Sequence, residues 1–268
     1  MNKEDLVSVI MPTYNAGKYL ADSINSILNQ SYKNLELLIT DDASTDPTTL
    51  QLLQEFASKD NRVDILYLKE NHGAGYARNQ SIERAKGRYI AFCDSDDRWT
   101  TDKLEKQIAF MNKKKCALSC ASYIIFDGET QNEIGFCTAP KKITYGMMKR
   151  DNKVGCLTAI YDVQMLGRKF FMPTIRKRQD WALFLQIIRE CKVCYAYPEK
   201  PLAYYCMRRN SISSNKMSLM KYNIAVYKEI LGFHPIKANL YFFTLFLPTY
   251  GAKIMKRKFD SYTFTHRK

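Results

Sequence analysis

The sequence predicts an α/β protein with a mostly parallel central sheet and helices on both faces of that sheet. In the first hundred positions, short apolar runs alternate with amphipathic stretches of about 10–15 residues, which is the pattern of repeated strand–helix units. Polar clusters directly follow three of the apolar runs, at positions 13–15, 41–42 and 94–97. Because ligands of such folds bind beyond the carboxyl ends of the strands, we expect a binding site where these clusters meet.

The elements of the first half follow from the spacing of apolar residues. The run 6–11 predicts a strand that stops at Pro12, and the helix predicted at 19–28 places Leu20, Ile24 and Ile27 at helical spacing. The remaining elements predicted there are a strand at 35–39, a helix at 48–56, a strand at 63–68, a helix at 75–86 and a strand at 89–92.

The second half is less regular. An amphipathic pattern predicts a helix at 181–190, with Trp181 and Phe184 on its apolar side. The other elements predicted in this half are strands at 117–126, 155–161 and 202–206 and a helix at 217–231.

Length and composition favour one large domain with an appendage. The chain has 268 residues, of which 46% are apolar. We expect a main domain over 1–215, with halves at 1–110 and 111–215, followed by a helical extension over 216–268. The first residues are charged and lead straight into a strand, unlike a signal peptide, and eight scattered cysteines indicate a reducing compartment, so we predict a cytoplasmic protein.

The positive charge is concentrated at the carboxyl-terminal end. The net charge is +14, yet residues 1–110 carry 13 Lys and Arg against 17 Asp and Glu, whereas residues 198–268 carry 13 against 3. Such a basic region can meet nucleic acid, anionic lipid or phosphate groups. No nucleic-acid recognition motif accompanies it, and the aromatic residues cluster apart from most of the cations, so nucleic-acid binding is not expected.

The segment 238–258 combines aromatic and apolar residues with flanking cations. It is too short to span a bilayer, which needs about 20 apolar residues, and Pro248 interrupts it. Its composition suits a helix that lies in a membrane interface, which predicts a protein held peripherally on the inner face of the cell membrane. The alternative is a helix packed on the main domain or on a partner chain.

Three carboxylates, Asp94, Asp96 and Asp97, follow the strand predicted at 89–92. Crowded carboxylates repel one another unless a positive charge joins them, and a divalent cation that holds a diphosphate is a common solution. The alternative is a polar turn that caps the next helix.

Five motifs in order resemble glycosyltransferase family 2, whose members have the GT-A fold. The resemblance covers about three quarters of the chain, and each motif is weak alone but the ordered set is specific. The motifs are residues 7–15, 41–46, 77–79, 94–97 and 179–181.

The resemblance implies a role for each nucleotide-binding residue. Pro12, Thr13, Tyr14 and Asn15 would lie in the loop that cradles the base, and Asp42 would accept a hydrogen bond from the uracil imide. Arg78 would lie near the base and the diphosphate, with a salt bridge to Glu83 or a nearby carboxylate as the alternative.

In the acidic turn, the resemblance implies that Asp94 and Ser95 contact the nucleotide and that Asp96 binds the metal. Asp97 would be a direct or indirect metal ligand, and the sequence does not separate it from Asp96. Oxygen ligands beside a diphosphate favour Mn²⁺ or Mg²⁺ as the cofactor.

The resemblance further implies that Asp180 is the general base, with an N-cap role as the alternative or an additional role. Gln179 precedes it where the family often has Glu, which removes a neighbouring charge. A flexible basic segment, expected to close over the diphosphate or else to be a solvated loop, contains Arg208, Arg209, Ser211 and Ser213.

Together these features predict an inverting, metal-dependent transferase that moves a hexose or N-acetylhexosamine from a UDP-sugar to a hydroxyl of a glycan. The predicted membrane contact favours a lipid-linked acceptor, as in bacterial surface polysaccharide assembly. One alternative is a sugar nucleotidyltransferase, although positions 12–17 lack the Gly-rich loop of that class. The other is a non-catalytic protein of the same fold that binds a membrane surface or nucleic acid.

Overall fold

The computed structural model of the chain describes residues 5–208 and 216–266, with side chains for 5–208 and 220–266. Twelve strands and ten α-helices are present in these ranges. The strands are β1 (Val7–Thr13), β2 (Leu35–Asp41), β3 (Val63–Tyr67), β4 (Tyr89–Phe92), β5 (Arg98–Trp99), β6 (Leu118–Ala121), β7 (Tyr123–Asp127), β8 (Glu133–Cys137), β9 (Lys142–Thr144), β10 (Ile160–Asp162), β11 (Val193–Tyr197) and β12 (Ala203–Met207).

The helices alternate with these strands in the first half and gather at the end of the chain. They are α1 (Leu20–Leu28), α2 (Pro47–Lys59), α3 (Ala74–Arg84), α4 (Lys103–Lys114), α5 (Tyr145–Arg150), α6 (Val163–Leu166), α7 (Gln179–Cys191), α8 (Lys216–Ala225), α9 (Pro235–Tyr241) and α10 (Leu247–His266).

A large mixed sheet organises the molecule, in the strand order β3-β2-β1-β4-β10-β6-β11-β9. The pairs β1–β2, β1–β4 and β2–β3 are parallel, and β10 is antiparallel to both of its neighbours. Successive residues of β1, β2 and β4 fall alternately into two apolar cores, because side chains alternate between the faces of a sheet. Helices cover both faces, so the predicted fold class is confirmed.

A smaller sheet of order β5-β12-β7-β8 lies beside the large one. The predicted strand 117–126 is in fact two strands, one in each sheet, and Ser122 lies where the chain passes between them. The Ser122 carbonyl accepts the N–H of Leu202, and its hydroxyl accepts the N–H of Ala139 at 3.0 Å. The predicted strand 155–161 was wrong over its first part, since Cys156–Thr158 is a 3-10 turn and β10 begins at Ile160.

The carboxyl-terminal arm, residues 235–266, is a continuous helical segment in which Phe242–Phe246 is π-helical. One of its faces joins the core: Phe242 and Phe246 are almost fully buried, and the Phe246 ring lies 5.6 Å from that of Trp181. Farther along, Ser261 accepts the N–H of Phe136 in β8 at 3.0 Å. The arm therefore packs on the main domain.

The opposite face of the arm is exposed. Ile236, Leu240, Phe243 and Leu247 recur at intervals of three and four residues and are 75%, 61%, 55% and 40% exposed. No helix in the described ranges is both long enough and apolar enough to cross a bilayer. The boundary predicted at 215/216 remains a prediction.

Candidate functional site

The ends of β1, β2 and β4 lie next to one another, as the polar clusters predict. Thr13 is paired with Asp41 in the sheet, and the Thr13 carbonyl accepts the N–H of Asp42 at 2.9 Å. On the other side of β1, the N–H of Cys93 donates to the carbonyl of Ile10 at 3.1 Å, which places the acidic turn beside the end of β1. Three separate motifs thus meet at one edge of the sheet.

The loop after β1 is held in shape by Asn15. This residue has a left-handed backbone with φ 45°, and its side-chain carbonyl accepts the N–H groups of Thr45 and Asp46 at 2.8 and 2.9 Å. Tyr14 is 51% exposed at the surface of this loop, whereas the buried hydroxyl of Thr13 has no hydrogen-bond partner among the described residues. The predicted end of the first strand at Pro12 was wrong: Pro12 and Thr13 are the last two residues of β1, because both continue the pairing with β2.

Asp42 is buried and organises the approach to α3. Its two carboxylate oxygens accept the backbone N–H groups of His72 and Gly73 at 2.8 and 2.7 Å. Gly73 is the N-cap of α3, the helix that carries Arg78. A carboxylate oxygen has two lone pairs, so these bonds leave acceptor capacity on Asp42 for a ligand.

Arg78 is almost fully buried and forms an ion pair with Asp94, with Nη2 2.5 Å from Oδ1. Burial lowers the pKa of Arg78, but Asp94 first, and Cys156 and Asp180 with it, raise the pKa by more. The salt bridge considered as an alternative for Arg78 therefore exists, but its partner belongs to the acidic turn. The contact fixes Asp94 in place.

Asp96 and Asp97 occupy different environments within the acidic turn. Burial and the charge of Asp94 raise the pKa of Asp96 to about 6, although its side chain retains 16% exposure. Asp97 is buried, and its Oδ1 accepts the N–H of Cys206 in β12 at 2.9 Å, so it ties the turn to the smaller sheet. Burial, then Asp96 and Asp94, raises the pKa of Asp97 well above its usual range. Ser95, which lies between Asp94 and Asp96 in the chain, is partly exposed.

Arg208, directly after β12, is a second arginine that contacts the acidic turn. Its Nη2 lies 2.6 Å from Oδ2 of Asp96, and its guanidinium lies 5.4 Å from the centre of the Tyr19 ring. The other residues of the predicted diphosphate segment, Arg209, Ser211 and Ser213, lie outside the described residues.

The acidic turn fits a divalent cation that a ligand would share. Within the described ranges, no group of three or more His, Cys, Asp or Glu side chains could hold a metal ion. A cation here would depend on oxygens from a bound diphosphate as well as on the protein. Burial first, and then the charge of Asp94, raise the pKa of Asp96, and a cation would offset the repulsion between these two carboxylates.

Asp180 is the second residue of α7, and the N-cap of that helix is Arg178, whose φ is 69°. The capping role considered for Asp180 was therefore wrong. Its Oδ2 accepts a hydrogen bond from Nδ2 of Asn152 at 2.8 Å. Burial first, and then the charges of Asp94, Asp180 and Asp97, raise the pKa of the half-buried Cys156 thiol, so all three carboxylates lie within electrostatic reach of that thiol.

The sequence reasoning missed Asn152. It lies 28 positions before Asp180, in a stretch without a family motif, and an uncharged side chain gives no electrostatic signal. A cavity of about 360 Å³ lined by Lys114, Met165 and Cys191, among others, lies at the opposite ends of the strands and is not part of this site.

Comparison with known sequences gives matches over most of the chain. The family model described as glycosyl transferase family 2 matches residues 8–171. The putative teichuronic acid biosynthesis glycosyltransferase TuaG of Bacillus subtilis (strain 168) is 43% identical over 238 residues, which are 89% of this chain and 93% of TuaG. The UDP-Glc:alpha-D-GlcNAc-diphosphoundecaprenol beta-1,3-glucosyltransferase WfgD of Escherichia coli is 38% identical over 216 residues, which are 81% of this chain and 83% of WfgD.

Two solved structures share the fold at low sequence identity. S. aureus TarS 1–349 in complex with UDP-GlcNAc has a TM-score of 0.66 and 21% identity, over 88% of this chain and 70% of that one. The mannosyltransferase PcManGT of Pyrobaculum calidifontis, in complex with GDP-Man and Mn²⁺, has a TM-score of 0.64 and 16% identity, over 95% of this chain and 75% of that one. These likenesses confirm the predicted GT-A fold.

Proposed function

The chain belongs to glycosyltransferase family 2, and we propose that it transfers a hexose or N-acetylhexosamine from a UDP-sugar to a hydroxyl of a lipid-linked glycan, with inversion at the anomeric carbon. The observation that carries this proposal is the convergence of Asp94, Arg78 and Asp180. Asp94 pairs with Arg78 at 2.5 Å, and the charge of Asp180 contributes to the raised pKa of the same guanidinium. This supports a donor carboxylate and an acceptor base in one site.

In the proposed reaction, Asp180 accepts the proton of the acceptor hydroxyl as that oxygen forms a bond to the anomeric carbon. The bond from the anomeric carbon to the diphosphate oxygen breaks on the opposite face, and UDP leaves with the electron pair. One displacement requires no covalent intermediate with the protein and inverts the configuration, so an α-linked donor gives a β-linked product.

The donor would be held at the ends of β1, β2 and β4. We assign the base to the end of β1, at Pro12 and Thr13, and to the loop residues Tyr14 and Asn15 that follow. Asp42 would accept the uracil N–H through its free lone pairs. We assign the contacts with the ribose and diphosphate to Asp94 and Ser95, and the ion pair with Arg78 orients Asp94.

Asp96 is the residue best placed to hold Mn²⁺ or Mg²⁺, because Asp97 is engaged with β12. When bound, such a cation supplies Lewis-acid stabilisation of the leaving diphosphate. Arg208, now paired with Asp96, adds a guanidinium at the place where negative charge accumulates on the leaving group.

The proposed acceptor class rests on the relatives. WfgD is named for transfer from UDP-Glc to a GlcNAc-diphosphoundecaprenol, and a second Escherichia coli relative, WfaP, carries the same description at 37% identity. An acceptor of this kind is embedded in a membrane, so an enzyme that uses it must work at the bilayer surface.

We assign membrane attachment to the exposed stripe of the carboxyl-terminal arm, formed by Ile236, Leu240, Phe243 and Leu247. Cations follow on the same arm, with exposed side chains at Lys256, Arg257 and Lys258. An apolar stripe beside a basic cluster matches an anionic bilayer surface, which accepts apolar side chains and attracts cations. This assignment gives a peripheral protein on the cytoplasmic side of the membrane.

The test of the transferase proposal is an assay of UDP release from a panel of UDP-sugars, with Mn²⁺ and a polyprenyl-diphosphate-linked sugar as acceptor. We expect Asp180→Asn to bind UDP as the parent protein does and to lose turnover by about 10²-fold or more. Undiminished turnover in this variant would remove Asp180 as the base. Release of pyrophosphate instead of UDP would favour a nucleotidyltransferase.

A further inference from the structure

A chain of polar contacts joins the carboxyl-terminal arm to Asp180. Lys253, in α10, donates from Nζ to the backbone carbonyl of Asn152 at 2.5 Å and lies 3.1 Å from Oδ2 of Asp151. Asn152 in turn donates from Nδ2 to Oδ2 of Asp180 at 2.8 Å. Lys253 is 101 positions from Asn152 in the chain, so the arm folds back to reach the site.

The loop that presents Asn152 is fixed on several sides. Asp151 is only 3% exposed, and its carboxylate is shared by Lys253 and Lys153, each at 3.1 Å. The side-chain carbonyl of Asn152 accepts the N–H of Val154 at 3.1 Å, which orients its amide so that the NH₂ group faces Asp180. A buried carboxylate with two ammonium partners costs stability when one partner is lost, so Lys253 is integral to this loop.

The arm also supports the next residue of α7. The Trp181 ring lies 5.6 Å from that of Phe246 in the arm, and Trp181 donates from Nε1 to the carbonyl of Met148 at 2.7 Å. The first turn of α7 is therefore held between the arm and the segment that carries Asn152.

We propose that Asn152 is a positioning residue that orients Asp180 through its side-chain amide, and that Lys253 holds Asn152 in place from the carboxyl-terminal arm. The arm then contributes to turnover as well as to attachment. This inference rests on the proposed role of Asp180. Its physical basis is that a small displacement of a catalytic group can cost about 10²-fold in rate.

The variants are Asn152→Ala, which removes the amide, and Lys253→Met, which removes the ammonium but keeps the length of the side chain. Lys113→Met is the matched control, since it makes the same change at an exposed position of α4, outside the carboxyl-terminal arm. A detergent-solubilised acceptor is used, so that membrane attachment does not enter the rate.

We expect kcat to fall about tenfold or more in Asn152→Ala and Lys253→Met, with the UDP Kd unchanged within about twofold, while Lys113→Met retains parental kcat. Lys253→Arg should recover most of the activity, because an arginine can pair with Asp151 and donate to the same carbonyl. Parental kcat in both Asn152→Ala and Lys253→Met would overturn the proposal.

A double-mutant cycle separates positioning from general damage. If Asn152 acts through Asp180, adding Asn152→Ala to Asp180→Asn should leave the residual rate unchanged, since the group to be oriented is already disabled. A further tenfold loss in the double variant would overturn the positioning role. If Asp180→Asn alone keeps parental turnover, the proposed base has failed first, and this result is distinguishable from failure of Asn152.

Discussion

Three carboxylates within four positions have three different surroundings in this protein. Asp94 is paired with the buried Arg78, and Asp97 accepts a backbone N–H from Cys206. Asp96 forms an ion pair with Arg208, whose side chain is partly exposed. The spacing of the motif predicted the cluster, but the division of roles depends on which strand or helix approaches each carboxylate. That information lies in residues far apart in the chain.

The Asp96 carboxylate should decide whether UDP binding depends on metal. We expect Asp96→Ala to weaken Mn²⁺-dependent UDP binding about tenfold or more, because a divalent cation needs ionised oxygen ligands. Asp64→Ala is a suitable control, since Asp64 is exposed on β3 and pairs with Arg84. Calorimetric titration with UDP at fixed Mn²⁺ measures the effect, and an unchanged affinity would place the cation elsewhere.

Lys103 is buried, although a lysine side chain is usually exposed. Its ammonium has no hydrogen-bond partner among the residues that the structure describes and lies 4.0 Å from the centre of the Trp99 ring, and burial lowers its pKa from 10.5 to about 7. Between these two pH values the unfolded chain holds a proton on Lys103 that the folded chain has lost. The free energy of unfolding should therefore rise with pH across this window, by at most about 1.4 kcal/mol per pH unit from this group.

Lys103→Met should remove this contribution. We expect the variant to be more stable than the parent at pH 7, with a smaller advantage at pH 9, because the cost of releasing the Lys103 proton on folding falls as the pH approaches 10.5. Urea denaturation at both pH values measures the difference. Lys113→Met, at an exposed position of the same helix, is the control, and an equal difference at pH 7 and pH 9 would contradict the assignment.

At the scale of elements, the strands and helices of the first half were predicted well because each is encoded locally. β1, β2 and β4 are short apolar runs bounded by polar residues, and both of their faces are buried. The helix α4 was missed, since Lys103 and Gln107 occupy buried positions where the pattern requires apolar side chains. The short strands of the smaller sheet depend on pairing between distant segments and give little local signal.

The contact between the starts of α3 and α7 brings the two halves of the site together. Gly75, in the first turn of α3, lies against the side chain of Gln179: a Cβ added to Gly75 would be 2.4 Å from Nε2 of Gln179. Since Gln179 directly precedes Asp180, this contact joins the helix of Arg78 to the proposed base.

Gly75→Ala should therefore disturb turnover more than stability. Alanine favours the helix by about 1 kcal/mol over glycine, but its methyl group forces the Gln179 amide to move. We expect an unchanged or slightly higher melting temperature. We also expect kcat to fall several-fold, because movement of Gln179 would displace the adjacent Asp180 from its position in the site. Adding Gln179→Ala should restore kcat because it removes the obstructing amide, and failure to do so would show that the contact has another effect.

At the scale of the whole molecule, the arm shows what composition could and could not predict. The aromatic and apolar character of 238–258 indicated either a membrane helix or a packed helix, and the structure has a buried apolar face and an exposed apolar face on this arm. Phe246 is 2% exposed and packs beside Trp181, whereas Phe243, three positions earlier, is 55% exposed. The π-helical turn at Phe242–Phe246 changes the spacing, so a regular helical projection does not separate the two faces cleanly.

This pair of phenylalanines gives a matched test of the membrane assignment. Phe246→Ala should lower the free energy of unfolding by about 3–5 kcal/mol, the usual cost of deleting a buried aromatic ring, because it leaves a cavity beside Trp181. Phe243→Ala should change stability by less than about 0.5 kcal/mol, since the ring is largely in solvent.

Co-sedimentation with anionic phospholipid vesicles should then distinguish the two variants. We expect Phe243→Ala to bind vesicles more weakly than the parent while remaining folded, and Phe246→Ala to bind as the parent does at temperatures where it stays folded. Equal vesicle binding by the parent and Phe243→Ala would show that the exposed stripe does not meet the bilayer.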